Sequence, residues 1–446
     1  MCASRPSLAR ARRPKSGAAR FLVLAVLALL ILPVAAVADD GNGPADAIAP
    51  GVYRLDGFDP SLPLDDLEPL RRIVGAARVV GLGESFHTSG GFYQLKHRVF
   101  RFLVEEMGFR VFGFETPWLN AEPLVAYVQT CEGNLATLLD GLSRPWRSAE
   151  VGDLLQWMCE WNRSHPNPSD RLHFYGFDNQ RQAQGNGGTL IAYLEKIGFG
   201  ADHPWIQGIQ TCDGVVETFW PAQPFPAELY EQCQEALTEV AGFFDVNEKA
   251  LTQRTSREEL AWARIHLVGQ QAWQEMLFFL PTDFLRSYNA RERGMAYVAQ
   301  AIRNLRFPNA RVALWGHNGH IMYDAVPYVG TPGMGNYLSE ALGSRYVAVA
   351  LTASEVYADW VPAGRCGLVD LSVPSAVAVE DVLRGFGEGA LLVDLDPRGS
   401  HPSLLEPGAV YGLADGAFVP AEQFDALLYL KASPAMHPTA WAPCQP

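Results

Sequence analysis

The chain is short of positive charge, with 35 Lys and Arg against 49 Asp and Glu and a formal net charge of −14. Nucleic-acid backbones are held chiefly by Lys and Arg, so this balance argues against nucleic acid as a partner. No apolar run reaches the ~20 residues that a membrane-spanning helix needs. There is no Cys-x-x-Cys pair and no Cys/His cluster, which argues against a structural zinc site. The Gly-x-Ser-x-Gly elbow that presents a nucleophilic serine is also missing, which argues against a covalent acyl-serine mechanism. No internal repeat is found, nor any low-complexity tract beyond the N-terminal region.

At the N-terminus, Arg10, Arg12, Arg13, Lys15 and Arg20 precede an apolar run from Phe21 to Leu32, then Pro33 and the triplet Ala36-Val37-Ala38. That order predicts a secretory signal peptide, residues 1–38, cut after Ala38. With no cysteine at the cut, a lipid anchor is not expected, and the product is expected to be secreted or periplasmic with no stable membrane anchor. Removing residues 1–38 takes away six basic and no acidic side chains, carrying the formal charge from −14 to −20. Residues 39–49 are expected to be flexible, and 50–446 to form the folded body. Six cysteines stay in that body, and an even number in an oxidising compartment favours disulfides. The local pairings are Cys131 with Cys159, Cys212 with Cys233, and Cys366 with Cys444. Oligomeric state is left open.

Short apolar segments at Ala77–Leu82, Arg110–Phe114, Arg171–Phe177 and Arg311–Trp315 read as buried strands, each closed by Gly or a polar residue. Between them lie helical patterns at Phe92–Met107, Glu122–Leu142 and Val151–Arg163, the first ending at Gly108 as a C-terminal cap. Strands alternating with helices predict an α/β fold with a mostly parallel central sheet flanked by helices. From about 185 to 308 helical periodicity takes over, which predicts a helical insertion or cap lobe. Arg345–Leu351 is expected to complete the sheet. Gly367–Val373, Ala390–Leu395 and Phe424–Leu430 are strand candidates in a tail expected to be peripheral.

Titratable residues follow the strands at once: Glu84 and His87 after the first, Glu115 after the second, Asp178 after the third, His317 and His320 after the fourth. Ligands in parallel sheets bind at the carboxyl ends of strands, so these distant stretches are expected to converge on one cleft. Glu115 closes a very apolar strand, where an unpaired carboxylate would be costly. Asp178 fits a helix N-cap or a brace for a histidine equally well. The turn in His317-Asn318-Gly319-His320 is expected to aim one ring into the cleft and leave the other as support. Lys96 and Arg98 follow on the next helix, and Lys96 is the stronger candidate to reach Glu84 or a developing oxyanion. Arg293, in Arg291-Glu292-Arg293, is a further cationic candidate. These residues suit general-base activation of water: an imidazole held by a carboxylate takes a proton as water attacks an ester carbonyl.

Several segments together, Gly81-Leu82-Gly83-Glu84-Ser85-Phe86-His87, Phe112-Gly113-Phe114-Glu115, Phe174-Tyr175-Gly176-Phe177-Asp178, Trp315-Gly316-His317-Asn318-Gly319-His320 and Gly333-Met334-Gly335-Asn336-Tyr337-Leu338, resemble the erythromycin esterase family over about residues 70–430. The resemblance implies an α/β core with a helical lobe and hydrolysis of a macrolactone ester without a serine nucleophile. It places the general base at His87, with Glu84, Glu115, His317 and His320 on the other active-site positions. Where the family often has threonine this chain has Phe86, expected to narrow the pocket beside His87. Lys96, Asp178, Arg293 and Phe86 are the candidates on the substrate side.

Three functions compete. The first is an exported ester or lactone hydrolase acting on a small molecule, needing no cofactor, with His317 polarising the carbonyl. The second is a metal-dependent hydrolase whose Glu/His cluster would suit zinc or manganese. The third is a non-catalytic exported binding protein that stacks sugars or macrocycles on its aromatic side chains.

Overall fold

In the computed structural model the described residues are 47–180, 186–219, 225–360, 365–369, 378–387, 389–396, 402–404 and 419–440. The expected signal peptide lies outside them. Among the described residues no helix is long and apolar enough to cross a membrane.

Ten strands form one sheet: β1 (Ala47–Ala49), β2 (Val52–Leu55), β3 (Val79–Leu82), β4 (Phe109–Pro117), β5 (His173–Asp178), β6 (Arg311–Trp315), β7 (Tyr346–Trp360), β8 (Arg365–Val369), β9 (Ala390–Asp394) and β10 (Ala426–Ser433). Their order is β1-β2-β9-β10-β7-β3-β6-β4-β5, with β8 on β7. From β10 to β5 every neighbouring pair is parallel, and antiparallel pairing is confined to β9, β2, β1 and β8. The chain is therefore α/β with a mostly parallel centre.

Side chains alternate across the pleat, so both faces must be apolar where helices cover both. Val80, Leu82, Phe112, Phe114, Ala313 and Trp315 enter one core. Val79, Val111, Val312 and Leu314 enter the other. This explains why β3, β4 and β6 read as continuous apolar runs rather than alternating ones. Helix Gly90–Glu105 lies in the first core through Phe92, Leu95, Val99 and Leu103, and the chain leaves it at Gly108, whose φ of 70° suits glycine.

Between β5 and β6 run five helices, Asn186–Lys196, Pro204–Phe219, Ala227–Arg254, Arg257–Phe279 and Phe284–Ala301. Leu190, Leu194, Ile206, Leu237, Val240 and Phe244 give this lobe a core of its own. Cys212–Cys233 links two of its helices and Cys131–Cys159 links two helices beside the sheet. The Cys366–Cys444 pairing falls outside the described side chains.

Two expectations need correction. The C-terminal tail is not peripheral: β10 lies between β7 and β9 with Ala426–Leu430 buried, because those apolar residues fill the gap beside the central strands. The helical pattern over Glu122–Leu142 is two helices, Trp118–Thr130 and Leu135–Leu139, parted by Cys131 in the left-handed region (φ 58°). Of the segment 39–49, residues 39–46 lie outside the described residues, and Ala47–Ala49 pairs with β2.

Gly83 couples sheet to site. A Cβ there would stand 2.0 Å from Asn318 Oδ1. Asn318 in turn accepts the Leu351 N–H at 3.1 Å, donates to the Leu351 carbonyl at 3.0 Å, and donates its backbone N–H to Glu84 O at 2.8 Å. Gly83→Ala is expected to cost ~1–3 kcal/mol or more by overpacking, read as a lower midpoint in chemical denaturation. An unchanged midpoint would show that the bracket gives way freely.

Candidate active site

The four strand ends that bear the titratable residues, β3, β6, β4 and β5, are adjacent in the sheet. Past their carboxyl ends opens a cavity of about 860 Å³ lined by His87, Glu115, Asp178, Arg291, His317 and His320, and by Asn120, Gln180, Ala440 and the loop Gly141–Arg147. His87, Glu115, Asp178, His317 and His320 thus share one crevice.

Glu84 is fully buried, and each of its oxygens is occupied. Oε1 lies 2.6 Å from His87 Nδ1, while Oε2 accepts from Lys96 Nζ at 2.8 Å and from the Trp315 indole N–H at 3.1 Å. Burying a carboxylate without partners would be prohibitive, so the Lys96 ammonium compensates it. Lys96 also donates to the Gly316 carbonyl at 3.3 Å and sits 4.4 Å from the centre of the Trp315 ring. Burial pulls the Lys96 amine down to about 8, against the opposing pull of Glu84. Lys96 is therefore a support behind Glu84, not a group facing substrate.

His87 is 26% exposed at the cavity wall. With Nδ1 held against Glu84, a neutral ring that donates there carries its lone pair on Nε2, to which nothing hydrogen-bonds among the described residues. The ring stands edge-on to Trp146 at 4.9 Å and to His317 at 5.6 Å. The loop that carries it is tense: Thr88 takes φ 67°, a left-handed conformation that costs a β-branched residue of order 1–3 kcal/mol. Tyr93 pins that turn, accepting the Thr88 N–H at 2.9 Å and donating to the Pro145 carbonyl at 2.9 Å.

Both rings of His317 and His320 line the cavity, whereas only one was expected to. Their roles differ. His317 caps the short helix Asn318–Ile321, its Nδ1 accepting the Gly319 N–H at 3.1 Å and its Nε2 lying 3.2 Å from the Ser85 carbonyl. Burial, with His87 and His320 nearby, pushes it down to about 3, so it is neutral with the proton on Nε2. Both nitrogens are spent, and the ring is not free to polarise a substrate carbonyl as expected. His320 instead has a carboxylate on each side, Glu292 Oε1 2.7 Å from Nδ1 and Glu115 Oε1 3.2 Å from Nε2. Burial and Arg291, whose Nη1 lies 3.2 Å from Nε2, oppose its charge, yet Glu292 and Glu115 prevail and raise it to about 10. At neutral pH the two carboxylates favour the imidazolium.

Glu115 accepts the His317 backbone N–H at 2.8 Å and Arg291 Nη2 at 2.9 Å. Burial would raise its carboxyl, but His320, His87 and Arg291 hold it well below the usual range. Asp178 receives Arg291 through Nε at 3.1 Å and Nη2 at 2.8 Å, and the Gln180 N–H at 2.9 Å. It therefore anchors an arginine rather than a histidine or a helix end. Arg293 does not join the site: it is exposed and paired with Glu275 at 2.6 Å. The helix turns 100° per residue, so Arg291 and Glu292 face inward while Arg293, two positions on, faces out. Phe86 is half-buried against the first core and does not line the cavity. A ligand role for the Glu/His cluster would require these bonds to break, and among the described residues no three His, Cys, Asp or Glu are arranged to hold a metal.

The erythromycin esterase family model matches residues 104–433. The chain belongs to the erythromycin esterase family. It is 24% identical over 319 residues to erythromycin esterase type II of Escherichia coli, covering 65% of this chain and 72% of that one. It is 23% identical over 394 residues to the putative hydrolase YbfO of Bacillus subtilis (strain 168), covering 82% and 86%. A Bacillus cereus protein of known structure superposes with a TM-score of 0.75 at 21% identity, covering 87% of this chain and 96% of that one. An erythromycin esterase mutant in its open conformation superposes at 0.69 with 19% identity, covering 86% and 98%. These superpositions establish the fold, and family membership supports a hydrolase of esterase type.

A raised histidine contributes stability that is complete below its unfolded value near 6.5 and is lost as pH rises through about 10. Glu292→Gln is therefore expected to lower the melting temperature most just below pH 6.5, by the equivalent of ~3–5 kcal/mol for a broken buried pair. The gap to the parent should narrow toward pH 10. Parallel melting curves across that window would show that His320 is not held as an imidazolium.

Proposed function

We propose that this chain is an exported hydrolase that cleaves an ester or lactone of a small molecule, with His87 as the general base and no resident metal. The observation that supports this most is the state of the three histidines. His317 and His320 have both ring nitrogens engaged, while His87 turns a bare Nε2 to the cavity with Nδ1 fixed by Glu84.

In this reading water sits against His87 Nε2. As its oxygen attacks the carbonyl carbon, the proton passes to Nε2, and Glu84 steadies the imidazolium that forms. Lys96 and Trp315 hold Glu84 in place by hydrogen bonds to Oε2. Arg291 and the His320 imidazolium supply positive charge in the cavity where the oxyanion develops. Collapse of the tetrahedral intermediate expels the alkoxide, which takes the proton back from His87, leaving acid and alcohol. Export is supported by the two disulfides, which persist in oxidising compartments.

His87→Gln, folded as the parent by circular dichroism, is expected to lose ~10²–10⁴-fold in kcat on aryl esters. Parental turnover in that variant would remove His87 from the chemistry. Lys96→Met is expected to lose activity as well, and the parent should lose activity above pH ~8 as the Lys96 amine deprotonates. If the alkaline limb persists unchanged in Lys96→Arg, it has another origin. Prolonged chelation should leave turnover intact, and a loss restored by zinc or manganese would contradict the metal-free reading.

A further inference from the structure

The charges around the cavity are unevenly matched. Each carboxylate there has cationic or N–H partners: Glu84 with Lys96, Glu115 with Arg291 and His320, Asp178 with Arg291. Arg291 is thereby shared between two acids. The loop Gly141–Arg147 differs, since it brings Arg147 to the cavity and no acid of its own. Arg147 is half-buried, and among the described residues its side chain makes one hydrogen bond, from Nε to the Leu142 carbonyl at 2.7 Å. That bond orients the guanidinium and leaves Nη1 and Nη2 without a partner among the described residues. A guanidinium carries five N–H donors in a planar fork that matches a carboxylate or phosphate, and a partly desolvated one gains most from such a partner.

The loop is also held firmly. Tyr93 donates to Pro145 O, the Asn120 side chain donates to Gly141 O at 2.7 Å, and the Arg147 carbonyl accepts the Thr439 N–H at 2.9 Å. Trp146, immediately before Arg147, is the residue whose ring stands 4.9 Å from His87. The unmatched fork therefore belongs to the same wall as the proposed base.

We propose that Arg147 is an anion subsite that selects esters or lactones carrying a carboxylate or another oxyanion away from the scissile bond. This rests on the esterase reading for the word ester, but the subsite itself does not. Substrates whose remote group is cationic would meet the same guanidinium and be rejected, because like charges at a half-buried site are costly to approach.

The test uses three 4-nitrophenyl esters of six-carbon acids that differ only in the far end: mono-adipate, hexanoate and 6-aminohexanoate. The parent should show its highest kcat/KM on the adipate and its lowest on the aminohexanoate. In Arg147→Gln the adipate-to-hexanoate ratio is expected to fall ~10-fold or more, the scale of one charge-assisted bond. Arg147→Lys should retain part of the preference. A second arm measures binding of free adipate by calorimetry in the parent, Arg147→Gln and His87→Gln. It should weaken in the first variant and persist in the second. His87-dependent hydrolysis of hexanoate with no preference for adipate overturns the subsite and leaves the esterase reading standing. Arg147-dependent binding of adipate with no hydrolysis of any ester does the reverse. A preference for the aminohexanoate, or a ratio unmoved by Arg147→Gln, ends the proposal.

Discussion

A single buried carboxylate organises the site. Glu84 has no exposed surface, so its charge is tolerable only with partners, and these come from three separate pieces of chain: Lys96 from helix Gly90–Glu105, Trp315 from the end of β6 and His87 from the loop after β3. Removing any partner would leave the others badly placed. The geometry of His87 is thus a consequence of satisfying Glu84. A ring with one nitrogen tied to a fixed carboxylate has one tautomer and one direction for its lone pair, which is what a base needs before substrate arrives.

A second network joins the helical lobe to the sheet. Arg291 and Glu292 belong to the last helix of the lobe, yet they hold Glu115, Asp178 and His320 at three strand ends. The insertion is therefore part of the site. Alternating acid and base, Asp178 to Arg291 to Glu115 to His320 to Glu292, lets five titratable groups pack side by side, the three carboxylates offsetting the 3.2 Å approach of Arg291 Nη1 to His320 Nε2. The two networks meet at the His317 peptide, whose N–H goes to Glu115 while its ring reaches the Ser85 carbonyl next to Glu84.

Much of this was legible in the sequence, for definite reasons. A parallel strand buried on both faces is a short apolar run, and the residue that ends it sits at the site end of the sheet, so Glu84, Glu115, Asp178 and His317 announced themselves by position. Strand β6 was placed at its observed bounds because Arg311 and Gly316 punctuate it. Less legible was anything set by long-range packing. The tail strand β10 looks like other Gly- and Pro-flanked segments, and only the vacancy beside β7 decides that it is interior. Arg291 and Arg293 are chemically alike. The helical phase that turns one inward could have been read from Ser287, Ala290 and Gly294, the small residues on the packed side. Arg144, Trp146 and Arg147 carried no pattern at all, since a loop that walls a cavity has no periodicity to reveal it. The space that a side chain at Gly83 would need is filled by the Asn318 amide, a long-range contact that local sequence does not announce.

The central claim concerns one proton. Histidine labelled with ¹⁵N, with the His87 signals assigned by their loss in His87→Gln, reports which ring nitrogen bears hydrogen in the resting protein. The account predicts that, once the ring is neutral, His87 is protonated at Nδ1 and bare at Nε2, and that Glu84→Gln disturbs this state. A resting His87 protonated at Nε2 with a bare Nδ1 would contradict it.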